Sequence, residues 1–226
     1  MKKARTFFVL AIICLCISTP FLMDIPTYLK VKNGEYTDLE EVDAFGLKKG
    51  DAVKGKAEYV LGCCAEEYST SFGVRTSDKS DTLYYVIWLN NDNFVLYRTS
   101  SIEQYGTLDR MTDQTFDYLD SLEVYEGSKD YEDIKTPTTT MEIEGMVSKI
   151  PGNIEGFFRD WYDETVDDDA FDECCEPVMI TNWSFDRAKN YLPVGIGVGA
   201  AGVLCLILAL IFFIKGKKAA QTNTYW

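Results

Sequence analysis

Two long apolar runs, one near each end, dominate the pattern of hydrophobic and polar positions along the chain. They cover residues 6–23 and 192–214, and each is long enough to cross a hydrocarbon core of about 30 Å as a helix. We therefore predict two transmembrane helices, of which the first is a signal anchor. Gly195 and Gly199 in the second run have the G-x-x-x-G spacing that lets membrane helices approach closely. We expect them to pack this helix against the first one or against a second molecule.

Shorter patterns between the two runs predict an α+β domain. The segment 83–99 holds two stretches of β-branched and aromatic residues joined by Asn and Asp residues, which predicts a β-hairpin. Alternation predicts further strands at 51–62 and 138–150, the latter with Gly145 at a bulge. Apolar residues spaced by three and four predict an amphipathic helix over 154–166. We expect an antiparallel sheet, with a small barrel-like topology as one alternative, and about three helices.

Charge is distributed very unevenly over these segments. All 36 acidic residues lie between the two runs, whereas six of the 22 basic residues lie in the tails, so the middle segment carries −20 and the whole chain −14. Because basic residues collect on the cytoplasmic side of membrane helices, we predict cytoplasmic termini and an extracytoplasmic domain. The predicted segments are a cytoplasmic tail (1–5), a transmembrane helix (6–23), the acidic α+β domain (24–191), a second transmembrane helix (192–214) and a second cytoplasmic tail (215–226).

A cleaved signal peptide is the alternative interpretation of the first run, because residues 1–5 are basic and an apolar core follows directly. No A-x-A-like cleavage site follows that core, and the apolar stretch continues through Pro20, Phe21 and Leu22. A retained anchor is therefore the preferred interpretation. Both interpretations place the domain outside the cell.

Four cysteines of the middle segment form two adjacent pairs, Cys63-Cys64 and Cys174-Cys175. An even number of cysteines in an exported domain predicts disulfides, and we expect these four to crosslink the two distant segments in a connectivity that the sequence leaves open. Vicinal or intermolecular bridges, a four-cysteine metal site and a thiol-redox role are the alternatives. The redox role lacks C-x-x-C spacing and a basic neighbour, and the metal site lacks C-x₂₋₄-C spacing.

The chain contains no histidine, which excludes Ser-His-Asp and Cys-His nucleophile activation and zinc sites that need imidazole. It also contains no Walker loop, no dinucleotide fingerprint and no G-x-S-x-G motif. We therefore predict no catalytic residue and no cofactor, and a protein that is not an enzyme. The excess of negative charge argues against nucleic acid as a partner.

An acidic run follows the predicted helix and includes Asp167, Asp168, Asp169 and Asp172. Carboxylate oxygens suit calcium, so these four are the candidates for a weak cation site. The D-x-[DN]-x-[DN]-G pattern of a calcium loop is missing. A solvated acidic surface is therefore the preferred interpretation, and no bound metal is predicted.

The layout of basic tail, apolar run, acidic domain and second apolar run ends in Lys215-Gly-Lys-Lys218. Together with Lys54-Gly-Lys-Ala57, the 83–99 hairpin and the segment 142–150 before Pro151, it resembles uncharacterised two-pass membrane proteins of Gram-positive bacteria with a small extracytoplasmic domain. The resemblance implies a location at the cell membrane and no particular chemistry.

From these observations we expect a membrane-anchored extracytoplasmic binding or interaction module without catalytic activity. Its partners would be the membrane itself and another membrane protein, an envelope component or a second copy of the chain. The first alternative is an accessory subunit of a membrane transporter or channel, suggested by the small residues of the second run and by the acidic exterior. The second alternative is a thiol-redox protein that uses the paired cysteines.

Overall fold

The computed structural model describes residues 2–71, 74–77, 80–125, 134–165 and 170–222. The chain forms two compact units, a helical unit (Met1–Asn33 with Ser184–Trp226) and a sheet unit (Gly34–Trp183). The helices are α1 (Lys2–Met23), α2 (Ile25–Lys32), α3 (Ile102–Tyr125), α4 (Gly152–Thr165), α5 (Phe171–Cys174) and α6 (Phe185–Thr222). The strands are β1 (Thr37–Asp38), β2 (Ala52–Ala57), β3 (Tyr59–Glu67), β4 (Thr70–Ser71), β5 (Val74–Arg75), β6 (Thr82–Trp88), β7 (Phe94–Thr99), β8 (Met141–Lys149) and β9 (Cys175–Asn182).

The helical unit contains both apolar runs. The segments Ala4–Lys32 and Phe185–Gly216 are long and apolar enough to cross a membrane. Only 11% and 17% of their most apolar stretches are buried inside the structure, whereas a helix that is hydrophobic all round in a soluble protein lies buried in its core. The two helices could therefore span a membrane with most of their apolar surface facing lipid.

The sheet unit is built on one seven-stranded sheet in the order β1-β2-β8-β9-β7-β6-β3, while β4 and β5 form a separate two-stranded ribbon. The pairs β1/β2 and β7/β9 are parallel and the remaining neighbours are antiparallel. The expected purely antiparallel sheet is therefore wrong. The parallel β7/β9 pair arises because the long connection through α3, β8 and α4 returns the chain in the direction of β7.

The barrel-like alternative is also wrong, because the sheet stays open. The single strand predicted over 51–62 is in fact two strands, β2 and β3, with only Glu58 between them. β2 pairs with β8 and β3 pairs with β6, so they lie in different parts of the sheet and do not close it. Two register shifts in β3, the first beside Gly62, bend the strand as β-bulges do.

Two helices cover the two faces of this sheet. On one face, Leu108 and Met111 of α3 are fully buried within the hydrophobic cluster that the strands form. On the other face, Ile154, Phe158 and Tyr162 of α4 complete a second cluster. The sheet unit thus has three layers, and the predicted amphipathic helix and the predicted 83–99 hairpin are both confirmed.

Candidate functional site

The paired cysteines do not meet in the structure. Cys63 and Cys64 lie in β3, whereas Cys174 ends α5 and Cys175 begins β9. Two strands, β6 and β7, separate β3 from β9, and three interstrand spacings of about 4.8 Å give about 14 Å, twice the Cα separation of about 7 Å that a disulfide tolerates. All seven cysteines of the chain lie in its described part and are free. The disulfide prediction is therefore not supported.

The environment of these thiols disfavours the reactive thiolate. Burial raises the pKa of Cys64 to about 12, and the neighbouring Cys63 adds to this shift. Burial is also the largest cause of the raised pKa of Cys63 and of Cys175. Cys63 packs against the cluster on the α3 face, while Cys64 and Cys174 pack against the cluster on the α4 face. These cysteines behave as small core residues.

The predicted helix-packing glycines lie against α1 of the same chain. A Cβ added at Gly195 would overlap Phe21 Cβ, and one at Gly199 would lie 3.3 Å from Ser18 Oγ. Gly197, between them, has open space around it. The face of α6 that carries Gly195 and Gly199 is therefore filled by α1.

The predicted cation residues are not brought together by the described part of the structure. Asp167, Asp168 and Asp169 lie outside the described residues. Asp172 is exposed and accepts a charge-assisted hydrogen bond from Arg159 Nη2 at 2.7 Å. No group of three or more His, Cys, Asp or Glu residues within the described ranges could hold a metal ion.

A cleft at the start of β9 has the chemistry of a binding site. Its volume is about 290 Å³. Its lining combines apolar side chains with three carboxyl groups: Phe45, Ile150, Glu155, Phe171, Asp172, Cys175, Glu176 and Pro177. We call it the Glu176 cleft. No lysine or arginine is among these lining residues, so its charge is negative.

Glu176 is buried in this cleft with one of its carboxyl oxygens unpaired among the described residues. It is only 1% exposed, yet one carboxyl oxygen, Oε2, has no hydrogen-bond partner among the described residues. Its other oxygen, Oε1, accepts hydrogen bonds from the Phe45 N–H at 2.7 Å and from Asn93 Nδ2 at 3.4 Å. A buried polar atom without a partner costs about 1–3 kcal/mol, and burial raises the pKa of Glu176 above its usual range.

The loop that carries Phe45 is held over this part of the sheet by polar contacts. Phe45 has a left-handed backbone conformation with φ of 56°, which is unfavourable for a bulky residue. The hydrogen bond to Glu176 fixes its N–H, and Asn91 Nδ2 donates to the Val42 carbonyl at 3.1 Å. The Phe45 side chain remains 45% exposed. An exposed aromatic ring thus stands beside a buried carboxyl group.

Two lining residues of the cleft, Phe171 and Asp172, both contact Arg159, which lies outside the lining. The Arg159 guanidinium lies 4.2 Å from the centre of the Phe171 ring, within cation–π range, and also pairs with Asp172. Arg159 is therefore engaged on the Asp172 side. It also interacts electrostatically with Glu155. Glu176 is therefore the carboxyl group of the cleft for which neither Arg159 nor a lining residue is a basic partner.

Two other cavities are less suited to recognition. One, about 500 Å³, is an apolar groove of the helical unit between α1 and α6. Another, about 310 Å³, is lined by Tyr59, Trp88 and Tyr118 together with residues of the β6–β7 turn. Neither is lined by a buried polar atom that lacks a partner among the described residues.

The amino-acid sequence contains only a weak signal for this site. Glu176 is the one charged residue within β9, a strand otherwise made of apolar and neutral residues. A charged residue in an apolar strand signals either an edge position or a function. The strand itself was not predicted, because Pro177 and the preceding acidic run hide its periodicity.

Replacing Glu176 by Gln should make the stability of the protein less dependent on pH. A carboxyl group with a raised pKa in the folded state stabilises below its unfolded pKa of about 4.3, and this contribution is lost as pH rises through the folded value. We therefore expect Glu176→Gln to gain stability relative to the unmodified protein between pH 4 and pH 8. Urea unfolding followed by tryptophan fluorescence measures this difference. Asp113→Asn, which removes an exposed carboxyl group of α3, controls for net charge, and an equal pH trend in both variants would contradict the prediction.

Together, the fold and the cleft define a protein with two helices able to span a membrane and a mixed α/β domain with an acidic cleft. A family model described as domain of unknown function DUF8577 matches residues 1–215. The match covers most of the chain, and the protein belongs to this family. No curated protein and no solved structure matches it.

Proposed function

We propose that the protein is a membrane-anchored binding module of a Gram-positive cell envelope, without catalytic activity, that recognises a partner through the Glu176 cleft. The observation that carries this proposal is the buried Glu176 carboxyl group, whose Oε2 lacks a partner among the described residues within the wall of an open cleft. Binding sites retain such incompletely satisfied polar groups because a ligand completes them. The two candidate membrane helices and the resemblance to two-pass proteins support the location.

The rigidity of the surrounding structure supports the same function. Ile150 and Phe171 of the cleft belong to the hydrophobic cluster on the α4 face of the sheet. A site built on a sheet and packed helices is held more firmly than a site on free loops.

The two alternatives have less support. The accessory-subunit alternative relied on Gly195 and Gly199 as a docking face, and α1 of the same chain already contacts both. The thiol-redox alternative relied on the paired cysteines, and burial raises the pKa of Cys63, Cys64 and Cys175. A high thiol pKa reduces the fraction of reactive thiolate at neutral pH.

Photo-crosslinking in native membranes tests the proposal. We expect p-benzoylphenylalanine in place of Phe45 to give a discrete adduct upon irradiation, and we expect Glu176→Gln to reduce that adduct severalfold. The same photo-reactive residue in place of Asp113, an exposed position on α3, is the matched control. Equal labelling at the two positions, or labelling at position 45 that ignores Glu176→Gln, would argue against the cleft as the binding site.

Orientation is measured on the same membranes. An Asp113→Cys variant should react with a membrane-impermeant maleimide on intact cells, because the position is exposed and the proposed location of the sheet unit is outside. The native cysteines of the sheet unit are buried or half-buried, so background labelling should be low. Labelling that requires cell lysis would place the sheet unit inside and contradict the proposed topology.

A further inference from the structure

We propose that the Glu176 cleft binds a primary ammonium group on an aliphatic stem, the group that a lysine side chain or a small alkylamine carries. The inference rests on the proposed function, because it names the ligand chemistry of the same cleft. The cleft is lined by the carboxyl groups of Glu155, Asp172 and Glu176 and by no basic side chain, and Arg159, which lies outside that lining, pairs with Asp172 but not with Glu176. Its charge therefore favours a cation.

The unpartnered Glu176 Oε2 further restricts the chemical class of the ligand. An ionised carboxylate that is buried without a counter-charge is strongly unfavourable. A ligand that both carries positive charge and donates a hydrogen bond would compensate the charge of Glu176 and satisfy Oε2 at once. A neutral donor would satisfy only the hydrogen bond.

The occupancy of the other oxygen distinguishes ammonium from guanidinium. Guanidinium binds carboxylates best as a fork, with two N–H groups on two free oxygens. Glu176 Oε1 already accepts from the Phe45 N–H and from Asn93, so only one oxygen is available. An ammonium group is compact and has three donors that can be aimed separately, which suits one oxygen of Glu176 together with the exposed carboxyl group of Glu155.

The apolar walls exclude a bare metal ion as the best ligand and favour a carbon stem. Calcium takes six to eight oxygen ligands, whereas Phe45, Ile150, Phe171 and Pro177 offer none from their side chains. A methylene chain would instead lose its contact with water against these residues. The volume of about 290 Å³ lies at the lower limit of about 300 Å³ for small-molecule pockets, which suits one side chain.

Access to the carboxyl group requires a small movement. Oε2 is buried, so an ammonium group reaches it only when part of the cleft lining shifts locally. The loop carrying Phe45 is attached to the same carboxyl group through the Phe45 N–H. Ligand binding at Oε2 and the position of Phe45 are therefore coupled.

Carbodiimide coupling to a defined amine tests the proposal on the full chain in detergent micelles. The carbodiimide activates a carboxyl group and takes up the water that is lost when the amine forms an amide with it. With cadaverine as the probe, we expect coupling at Glu155 to saturate at an amine concentration about tenfold lower than coupling at Asp113, a preference of about 1.4 kcal/mol. Mass spectrometry of the two peptides gives both curves.

Two comparisons make the outcome decisive. Glu176→Gln should raise the half-saturating concentration at Glu155 to the value at Asp113, with tryptophan fluorescence verifying the fold. On the unmodified protein, Nα-acetyl-lysine methylamide should suppress cadaverine coupling at Glu155, and its Nε-acetylated counterpart should not. The proposal is overturned if coupling at Glu155 depends on amine concentration in the same way as coupling at Asp113. It is also overturned if both lysine derivatives suppress coupling equally.

Native membranes distinguish the sources of the amine. Carbodiimide alone should join the Glu155 peptide to a lysine peptide of another protein if the ligand is a side chain, and should add only a small amine if the ligand is free. If photo-crosslinking at position 45 gives an adduct but Glu155 shows no preference for the amine, the proposed binding function is retained and the ammonium ligand is refuted. The absence of both would refute the proposed function itself.

Discussion

Substitution of Gly145 by Ala is expected to destabilise the sheet unit strongly, because the added methyl group has no room. Gly145 lies in β8 between β2 and β9, opposite Val53 on one side and Asn182 on the other. A Cβ at this position would overlap Ile180 Cγ2 and lie 2.9 Å from the Thr181 carbonyl oxygen. Because Ile180 is fully buried in the core and the other clash is with backbone, neither atom can move freely.

The expected loss lies at the upper end of the about 1–3 kcal/mol that overpacking a core costs. For a unit of this size it should lower the unfolding temperature by about 6–12 °C. Tryptophan fluorescence of the full chain follows the transition, since Trp88 and Trp161 lie in the sheet unit. Gly106→Ala is the matched control, because this exposed glycine of α3 has open space around it and helix propensity predicts a gain of about 0.8–1 kcal/mol. A Gly145→Ala variant as stable as the unmodified protein would mean that the β8–β9 register is wrong.

Replacement of Gly195 and Gly199 by Ile is expected to separate α6 from α1, whereas Gly197→Ile should not. The first two glycines lie against Phe21 and Ser18 of α1, and Gly197 faces open space. In a membrane, helices associate through close packing of small residues rather than through the hydrophobic effect. A branched side chain at the contact positions therefore removes the main attraction between the two helices.

A crosslink in the same interface measures this separation. A Cβ at Gly202 lies 3.1 Å from Cys14 Cβ, slightly closer than the Cβ separation of about 3.5–4.5 Å in disulfides. With copper phenanthroline added as the oxidant, Gly202→Cys in a chain whose Cys16 and Cys205 are replaced by Ala should rapidly form a disulfide with Cys14 of the same chain. The Ile pair should slow this reaction about tenfold, or about 1.4 kcal/mol, and Gly197→Ile should leave it unchanged. A crosslink between two chains instead would assign these glycines to a homodimer.

Where neighbouring residues alone determine structure, the sequence predicted it correctly. The 83–99 hairpin follows from two β-forming stretches around a turn, and α4 follows from apolar residues spaced by three and four. The expected bulge at Gly145 is wrong, since the register of β8 is continuous there on both sides. Position 145 needs a glycine because a Cβ there would overlap Ile180, a residue 35 positions further along the chain. The sequence around Gly145 does not indicate this contact.

The same limit explains the errors at the cysteines and at the candidate site. Adjacent cysteines and an exported context suggest disulfides, but pairing depends on how many strands separate them, and the order of strands in the sheet is a long-range property. Glu176 became noteworthy only when the fold placed it beneath the Phe45 loop and left Oε2 without a partner among the described residues. Burial of a carboxyl group cannot be read from its neighbours in sequence.

The sequence by itself determined the two apolar helices, the acidic segment between them and the hairpin and helix of that segment, because composition and short periodicities specify these features through hydrophobicity and local backbone preference. Only the tertiary structure decided the strand order, the separation of the cysteine pairs, the contact of Gly195 and Gly199 with α1, and the cleft around Glu176. Each of these depends on residues far apart in the chain, which are brought together only when the sheet buries its two faces against α3 and α4 and the helical unit packs its own helices.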